Sequence, residues 1–195
     1  MPRRSTLFAA IYAAAIGISC LYAHQAALAQ QDALGIAEYT ERGELLFPAD
    51  TASWIHLGSS LGADYSAEEF DAANPGVIGV VQMEPAAYRY FLEHSEYANG
   101  TMLLLSFYPA RSASDPELRG FVQGELLQQE IHVIDRERFS EEGRAFFLFR
   151  TASDRATAIA PGSECFACHS EHGAYDATFT QFYPTLRDLS TESRN

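Results

Sequence analysis

Lysine is absent from this sequence. All 13 basic residues of the 195 are arginines, and 26 aspartates and glutamates oppose them, which gives a formal charge of -13 and a pI near 4.7. A chain this acidic repels the phosphate backbone of nucleic acids and the surface of anionic membranes. We therefore expect neither nucleic acid nor a membrane surface among the partners of the folded protein.

Long apolar runs are missing too, except at the N-terminus. Two arginines precede an apolar run from Leu7 to about Leu21, and Ala27 and Ala29 supply the small residues that a signal peptidase reads. The run is shorter than the roughly 20 residues of a membrane-spanning helix. We predict that residues 1–29 are a signal peptide. Their removal takes two arginines and no acid, so the exported, periplasmic chain has 166 residues and a charge of -15.

Cysteine is scarce: of three in the chain, Cys20 lies in the predicted signal peptide. An oxidising compartment permits disulfides, but one close pair, Cys165 and Cys168, cannot staple a domain of this size. Repeats and low-complexity linkers are also lacking. The length and the 47% of apolar residues therefore predict a single globular domain.

Apolar periodicity and turn residues predict the elements of this domain. In chain order we expect a short helix over 52–57 capped by Asp50 or Thr51, a strand over 77–83, a helix from Pro85 to His94, a strand over 101–108 that ends at Pro109, a hairpin of strands 119–127 and 130–135, a strand over 144–150, and loops with a short helix beyond Ala160. Strands that come in succession without a helix between each pair favour an α+β fold with a curved antiparallel sheet and several short helices.

The last third contains the motif Cys165-Phe166-Ala167-Cys168-His169, the C-x-x-C-H signature by which c-type haem is attached. On a helix the two cysteines lie at positions i and i+3, on one side, where each thiol can add across a haem vinyl group. His169 follows at i+4 from Cys165, so its imidazole can reach the iron. We predict one covalently attached haem c near the C-terminus, held by Cys165 and Cys168, with His169 as the metal ligand.

Three other interpretations of the motif explain fewer of its residues. A structural zinc site needs four ligands, and only His172 lies near this pair. A thioredoxin-like dithiol normally follows an early strand of a βαβ unit, whereas this one comes late in the chain. A simple disulfide leaves His169 unexplained.

The sixth position on the iron decides between electron transfer and ligand binding. Met83 and Met102 lie in predicted strands, where methionine commonly fills the core. His132 alternates with apolar neighbours, which predicts an outward side chain. The remaining candidates are surface or helical histidines, or one too close to His169 along the chain: His56, His94 and His172. No candidate stands out, so both functions stay open at this point.

Four apolar side chains, spaced by two residues on predicted strands, would line a pocket if their face of the sheet meets the haem: Leu105, Phe107, Phe147 and Phe149. An ordinary sheet core explains the same spacing equally well. Three polar residues are candidates for the rim, with solvated ion pairs as the alternative: Arg144, Arg119 and Glu125.

Several stretches together resemble the cytochrome P-460 family, whose relatives include the cytochromes c′-β. They are GELLFP at 43–48, Trp54, EPAAY at 84–88, NGT at 99–101, the haem motif and FTQFYPTLR at 179–187. The resemblance spans about Ile36 to Arg187, so residues 36–190 are expected to form the haem domain. It implies a small periplasmic homodimer with a curved antiparallel sheet and one five-coordinate haem.

One departure from the family pattern bears on activity. Members that oxidise hydroxylamine carry a lysine bonded to the haem macrocycle, and that lysine would fall near Leu104, Leu105 or Ser106. Because the chain has no lysine, this cross-link cannot form. The resemblance then implies the c′-β branch, with an apolar distal pocket for nitric oxide or carbon monoxide.

These observations predict an exported mono-haem cytochrome whose five-coordinate haem binds or processes small nitrogen–oxygen ligands such as nitric oxide. Two alternatives remain. A hydroxylamine-oxidising enzyme would turn over substrate without the cross-link, and an electron-transfer cytochrome would hold a low-spin haem with Met83 or Met102 bound.

Overall fold

An antiparallel sheet covered on both faces organises the structure, a computed structural model that describes residues 37–63, 71–113, 119–150 and 153–186. The predicted signal peptide lies outside these residues. In chain order the elements are β1 (Leu45–Leu46), a 3-10 turn (Thr51–Ser53), β2 (Ile55–Leu61), β3 (Val77–Met83), α1 (Pro85–His94), β4 (Thr101–Ser112), β5 (Phe121–Gln123), β6 (Gln128–Ile134), β7 (Arg144–Arg150), β8 (Arg155–Ala156), α2 (Glu164–His172) and a second 3-10 turn (Thr180–Phe182).

The main sheet has the order β2-β3-β4-β6-β7, with β5 paired to the far end of β4 and a separate pair formed by β1 and β8. Every pairing between these strands is antiparallel. The α+β class with a mostly antiparallel sheet is therefore confirmed. No helix in the described part of the chain is long and apolar enough to cross a membrane.

Local chemistry explains the elements whose boundaries the sequence predicts well. Gly76, at a φ of 74°, turns the chain into β3, and Pro85 opens α1 where its missing N–H costs no hydrogen bond. The Glu84 carboxylate accepts hydrogen bonds from the Ala86 and Ala87 N–H groups, both at 2.8 Å. These contacts fix the start of the helix at its first turn.

The helix predicted over 52–57 is wrong. Only the 3-10 turn at Thr51–Ser53 is helical, and β2 begins at Ile55 and pairs with β3. Asp50 precedes the turn at a φ of 56° and makes no side-chain cap. Ile55 and Leu57 are two residues apart, a spacing that also fits a strand. Pairing with β3 stabilises the strand over the predicted helix.

The predicted hairpin of strands 119–127 and 130–135 is also wrong. The two segments pair with successive parts of β4: β5 with Ala110–Ser112, and β6 with Thr101–Phe107. β4 accordingly runs on through Pro109 to Ser112 instead of ending there. Gly124 lies between β5 and β6 and packs closely on β4, because a Cβ at this position would lie 2.7 Å from the Pro109 ring.

The register defines two faces of the sheet. The front face carries Leu103, Leu105, Phe107, Glu130, His132, Phe146 and Leu148, and the back face carries Met102, Leu104, Ile131, Val133, Ala145, Phe147 and Phe149. The N-terminal strand and Trp54 cover the back face. Helix α1 and the C-terminal segment, with Phe91 and Leu186 fully buried, cover one end of the front face. The back face and this end of the front face are therefore buried.

Gly58 admits the C-terminal segment onto the front face. A Cβ at this position would lie 3.0 Å from the Phe182 carbonyl oxygen, so the missing side chain allows the close approach of the two backbones. The segment that follows the haem motif is thereby placed across β2.

Candidate functional site

Helix α2 presents the haem motif against the front face. Phe166 is buried and packs edge-on against Phe146 of β7, with ring centroids 4.8 Å apart. The His169 ring lies 4.5 Å from the same Phe146 ring. Cys165 and Cys168 are free thiols and partly exposed. The predicted helical placement of the motif is thus observed, with both cysteines partly exposed.

His169 is oriented by a backbone carbonyl. Its Nδ1 lies 2.7 Å from the Ala177 carbonyl oxygen, which can only accept, so Nδ1 carries the proton and Nε2 has a free lone pair. Burial lowers the pKa of His169, and Arg144 lowers it further, while the bond to Ala177 opposes both. The neutral imidazole with a free Nε2 is the form that ligates iron.

The carbonyl that holds His169 belongs to an unusual turn. Tyr175 and Thr178 form a bridge, and the two residues between them, Asp176 and Ala177, have φ values of 48° and 53°. Glycine, asparagine and aspartate normally occupy such positions, whereas alanine is strained there. Strain at this point is consistent with a backbone whose conformation serves a neighbouring group.

Gly173 makes this arrangement sterically feasible. A Cβ there would lie 2.5 Å from the His169 carbonyl oxygen and 2.6 Å from the Ala177 carbonyl carbon, both backbone atoms. We predict that Gly173→Ala displaces the turn, breaks the bond to His169 and lowers the free energy of unfolding by about 1–3 kcal/mol. Denaturant unfolding measures this loss.

The matched variant at the other end of the turn should not lower the free energy of unfolding. Ala177→Gly keeps the carbonyl and removes the side chain from a left-handed backbone position, so we expect equal or greater stability. If Gly173→Ala is as stable as the parent, the close packing of this turn is refuted.

His132 occupies a position that the sequence did not predict. Its side chain is buried, and its ring centroid lies 5.1 Å from that of His169 at 82°. Neither ring nitrogen has a hydrogen-bond partner, and burial lowers the pKa of His132, so its ring is neutral. The expected outward side chain is wrong because α2 covers the front face of β6, as the N-terminal segment covers its back. The only signal in the sequence was that Ile131, Val133 and Ile134 give the strand apolar residues on both faces.

The predicted pocket residues divide between the two faces. Leu105 and Phe107 lie on the front face, as do the two rings that contact His169. Phe147 pairs with Ile131 and packs with Tyr39 and Phe139 on the back face, and Phe149 lies there too. The grouping of Phe147 and Phe149 with Leu105 and Phe107 is therefore wrong, since the register between strands places them one residue out of phase.

The predicted rim residues also have separate environments. Arg144 lies on the front face and its guanidinium is 3.5 Å from the Asp176 carbonyl oxygen, beside the turn that holds His169. Arg119 and Glu125 are exposed and lie on either side of β5 in the chain. Only Arg144 therefore belongs to the surroundings of the candidate site.

Glu130 adds a carboxylate to the front face that sequence reasoning did not single out. It lies in the same row as Leu105 and Leu148 and accepts a hydrogen bond from Gln128 at 3.0 Å. Burial raises its pKa, although the Gln128 bond opposes the shift. This row thus combines apolar side chains with one proton-binding group.

None of the candidate sixth ligands opposes His169 among the described residues. Met102 lies on the back face, and Met83 is fully buried beneath α1. His132 contacts His169 directly, so a haem cannot lie between the two imidazoles and His132 cannot be the sixth ligand. The other histidines of the described chain, His56, His94 and His172, are exposed. The two cysteines and the His169 imidazole suit a haem.

Comparison with known proteins gives one family match. The model of the family described as Cytochrome P460 matches residues 48–180, about two thirds of the chain, including Cys165, Cys168 and His169. No curated protein matches the chain.

Proposed function

Because the chain belongs to the cytochrome P460 family of haem-binding cytochromes, we propose that it carries one covalently attached haem c that binds small nitrogen–oxygen ligands such as nitric oxide. Cys165 and Cys168 form the two thioether bonds, and His169 ligates the iron from one side. The bound haem supplies a ferrous or ferric iron with one open position for a small ligand.

The observation that carries this proposal is the geometry around His169. Its Nδ1 proton is committed to the Ala177 carbonyl, so Nε2 is available, and both thiols lie on the same helix within four residues. A metal-bound histidine usually donates its other N–H in this way, and the bond fixes both its tautomer and its ring plane. This bond therefore orients the His169 imidazole as a ligand for iron.

The side chains of the front face support an open sixth position. Phe107 is 8% exposed and Leu105 is half-buried, and both lie on the face that carries the motif helix. Apolar side chains exclude water and favour a neutral diatomic ligand over a charged one. With Met102 on the other face and Met83 in the core, a five-coordinate haem is favoured over a low-spin electron-transfer centre.

The missing lysine supports a place for the chain in one branch of the family. Leu105 occupies the front face of β4, near the position where the cross-linking lysine is expected, and an aliphatic side chain cannot form that bond. We therefore place the protein with the ligand-binding cytochromes c′-β. Export through residues 1–29 to the periplasm and assembly as a homodimer complete the proposal.

Optical and electron paramagnetic resonance spectra of the purified protein test the proposal. We expect a high-spin ferric haem, a five-coordinate ferrous haem and a new spectrum on addition of nitric oxide. A low-spin, six-coordinate spectrum in both oxidation states, unchanged by nitric oxide, would refute an open position. In that case Met83→Leu and Met102→Leu would identify the sixth ligand.

Glu130 favours a second candidate function, the oxidation of hydroxylamine. Removal of electrons from hydroxylamine also releases protons, and a half-buried carboxylate with a raised pKa is suited to accept them. Steady-state turnover of hydroxylamine with a dye as electron acceptor tests this function, and Glu130→Gln must lower the rate. Absence of turnover in the parent protein would eliminate it without affecting ligand binding.

Glu130 also predicts how stability depends on pH. Because the folded protein holds this proton more tightly than the unfolded chain, its contribution to the free energy of unfolding falls as the pH rises from the ordinary carboxyl pKa through the raised one. Glu130→Gln should therefore be more stable than the parent at neutral pH, with the difference vanishing below the ordinary carboxyl pKa. Denaturant unfolding at both pH values measures it.

The exposed Glu125 provides the control, because Glu125→Gln removes a carboxylate of the same region from a solvated site. A gain in stability from Glu125→Gln as large as that from Glu130→Gln would assign the effect to net charge and would contradict the role of burial.

A further inference from the structure

Arg136 ties the turn that holds His169 to the end of the sheet. Its guanidinium donates to the Asp176 carboxylate and, at 3.1 Å, to the Tyr97 carbonyl oxygen. Its backbone N–H donates to the Asn99 side-chain oxygen at 3.0 Å. One side chain thus joins the end of β6, the turn before β4 and the turn after the haem motif.

The other side of the same turn is fixed by buried hydroxyls. Thr178 donates to the Tyr175 carbonyl oxygen at 2.7 Å, which leaves the Tyr97 hydroxyl to donate to Thr178 Oγ1 at 3.1 Å. The Tyr175 hydroxyl donates to the Ser95 carbonyl oxygen at 2.6 Å. Tyr97 and Thr178 are both buried, so these bonds anchor one end of the turn in the core.

Asp176 and Ala177 are the part of the turn that this core does not hold. Both are in the left-handed region, which aspartate tolerates but which strains Ala177, and both lie between the anchored Tyr175 and Thr178. Asp176 reaches Arg136 with its carboxylate and Arg144 with its carbonyl oxygen. These two arginines therefore oppose relaxation of the strained backbone at Ala177, and with it any shift of the Ala177 carbonyl.

We propose that Arg136 and Asp176 are positioning residues that hold the Ala177 carbonyl on His169 Nδ1 and so set the strength of the His169–iron bond. The proposal rests on the function proposed above, in which His169 ligates the haem iron. A strong bond from Nδ1–H to the carbonyl places more electron density on Nε2 and strengthens its bond to a metal. The Arg136–Asp176 pair thereby tunes the iron from outside the haem pocket.

Exposure separates this role from a structural one. The side chains of Arg136 and Asp176 are 49% and 31% exposed, and an ion pair open to solvent contributes little to global stability. Loss of the pair should therefore leave the unfolding transition almost unchanged and alter only the turn. Loss of a purely structural ion pair would instead lower the free energy of unfolding and leave the bond between His169 and Ala177 unchanged.

Arg136→Gln, Asp176→Asn and the double variant test the proposal in the haem-loaded protein. Asparagine is nearly isosteric with aspartate and tolerates a positive φ, so the turn can still form. We expect each variant to lower the iron–histidine stretching frequency in the resonance Raman spectrum of the reduced protein and to raise the reduction potential. The equilibrium constant for binding of His169 to the iron is expected to fall by roughly tenfold, the low end of the loss in affinity seen when a partner of a metal-bound histidine is removed.

The pattern across variants distinguishes the mechanism. Arg136 and Asp176 act as one unit, so the double variant should shift the frequency no further than either single one. Arg138→Gln removes the same charge from the same loop, where Arg138 stacks on Tyr39 on the back face, and should shift nothing. Asp176→Gly, which relieves the positive φ, keeps the test valid if the other variants unfold.

Two results would overturn the inference in different ways. An iron–histidine frequency that is the same in all variants and the parent refutes the positioning role and leaves the proposed function intact. A parent protein without any iron–histidine signal refutes the proposed ligation by His169, and this inference with it.

Discussion

Serine at both Cys165 and Cys168 is expected to abolish covalent attachment of haem to the exported protein. Hydroxyl groups do not add across the vinyl groups as thiols do, and the structure shows both thiols free and partly exposed on the helix that carries His169. Extraction with acidified organic solvent measures the effect, because attached haem stays with the polypeptide. The double variant should retain none, and each single variant should retain haem through one bond.

Cys20→Ser is the matched control, since it replaces the one cysteine that lies in the predicted signal peptide. It should leave the haem content of the exported protein unchanged. Attached haem in the double variant at the level of the parent would contradict the attachment through Cys165 and Cys168.

Phe147→Ala is expected to destabilise the protein strongly without changing its ligand binding. Phe147 is 1% exposed among the back-face residues Tyr39, Ile131 and Phe139, and removal of a buried phenylalanine ring costs about 3–5 kcal/mol. The loss is measured by denaturant unfolding, and nitric oxide binding is measured on the folded fraction. Because Phe147 lies on the other side of the sheet from His169, the affinity should equal that of the parent.

Phe107→Ala provides the comparison from the front face. Phe107 shares the face that carries His132 and Phe146, the two rings that contact His169, so its removal should open the pocket and change the rate of ligand entry. If Phe147→Ala alters ligand binding and Phe107→Ala does not, the assignment of the two faces is wrong.

The best-predicted elements are those with strong local boundaries. The strand over 77–83 lies between Gly76 and Pro85, and the helix that follows begins at this proline and its Glu84 cap. The strand over 144–150 was also predicted with its observed limits. In each case the deciding contacts lie within a few residues along the chain, where sequence patterns are informative.

The errors arose where distant partners decided the structure. β2 became a strand because it pairs with β3, and β5 joined β4 because β4 is long enough for two successive partners. The face on which Phe147 lies depends on the register between β4, β6 and β7, and a shift of one residue exchanges the two faces. No pattern within one strand contains that information.

The haem motif itself was readable from the sequence, but its surroundings were not. Cys165, Cys168 and His169 are neighbours along the chain, whereas His132 and Arg136 approach His169 and its turn from β6, more than 30 residues away. His132 was predicted to face outward because strict alternation assumes one exposed face, and here both are covered. The positive φ of Ala177 gave no signal either, since alanine is not typical of such a turn.

The intact mass of the exported protein, measured under denaturing conditions, tests the central claim most directly. Addition of two thiols across two vinyl groups removes no atoms, so the account predicts the mass of the chain from residue 30 onward plus one whole haem. A mass equal to that of the bare polypeptide would contradict covalent attachment through Cys165 and Cys168, and with it the proposed role of His169 as the ligand of an attached haem.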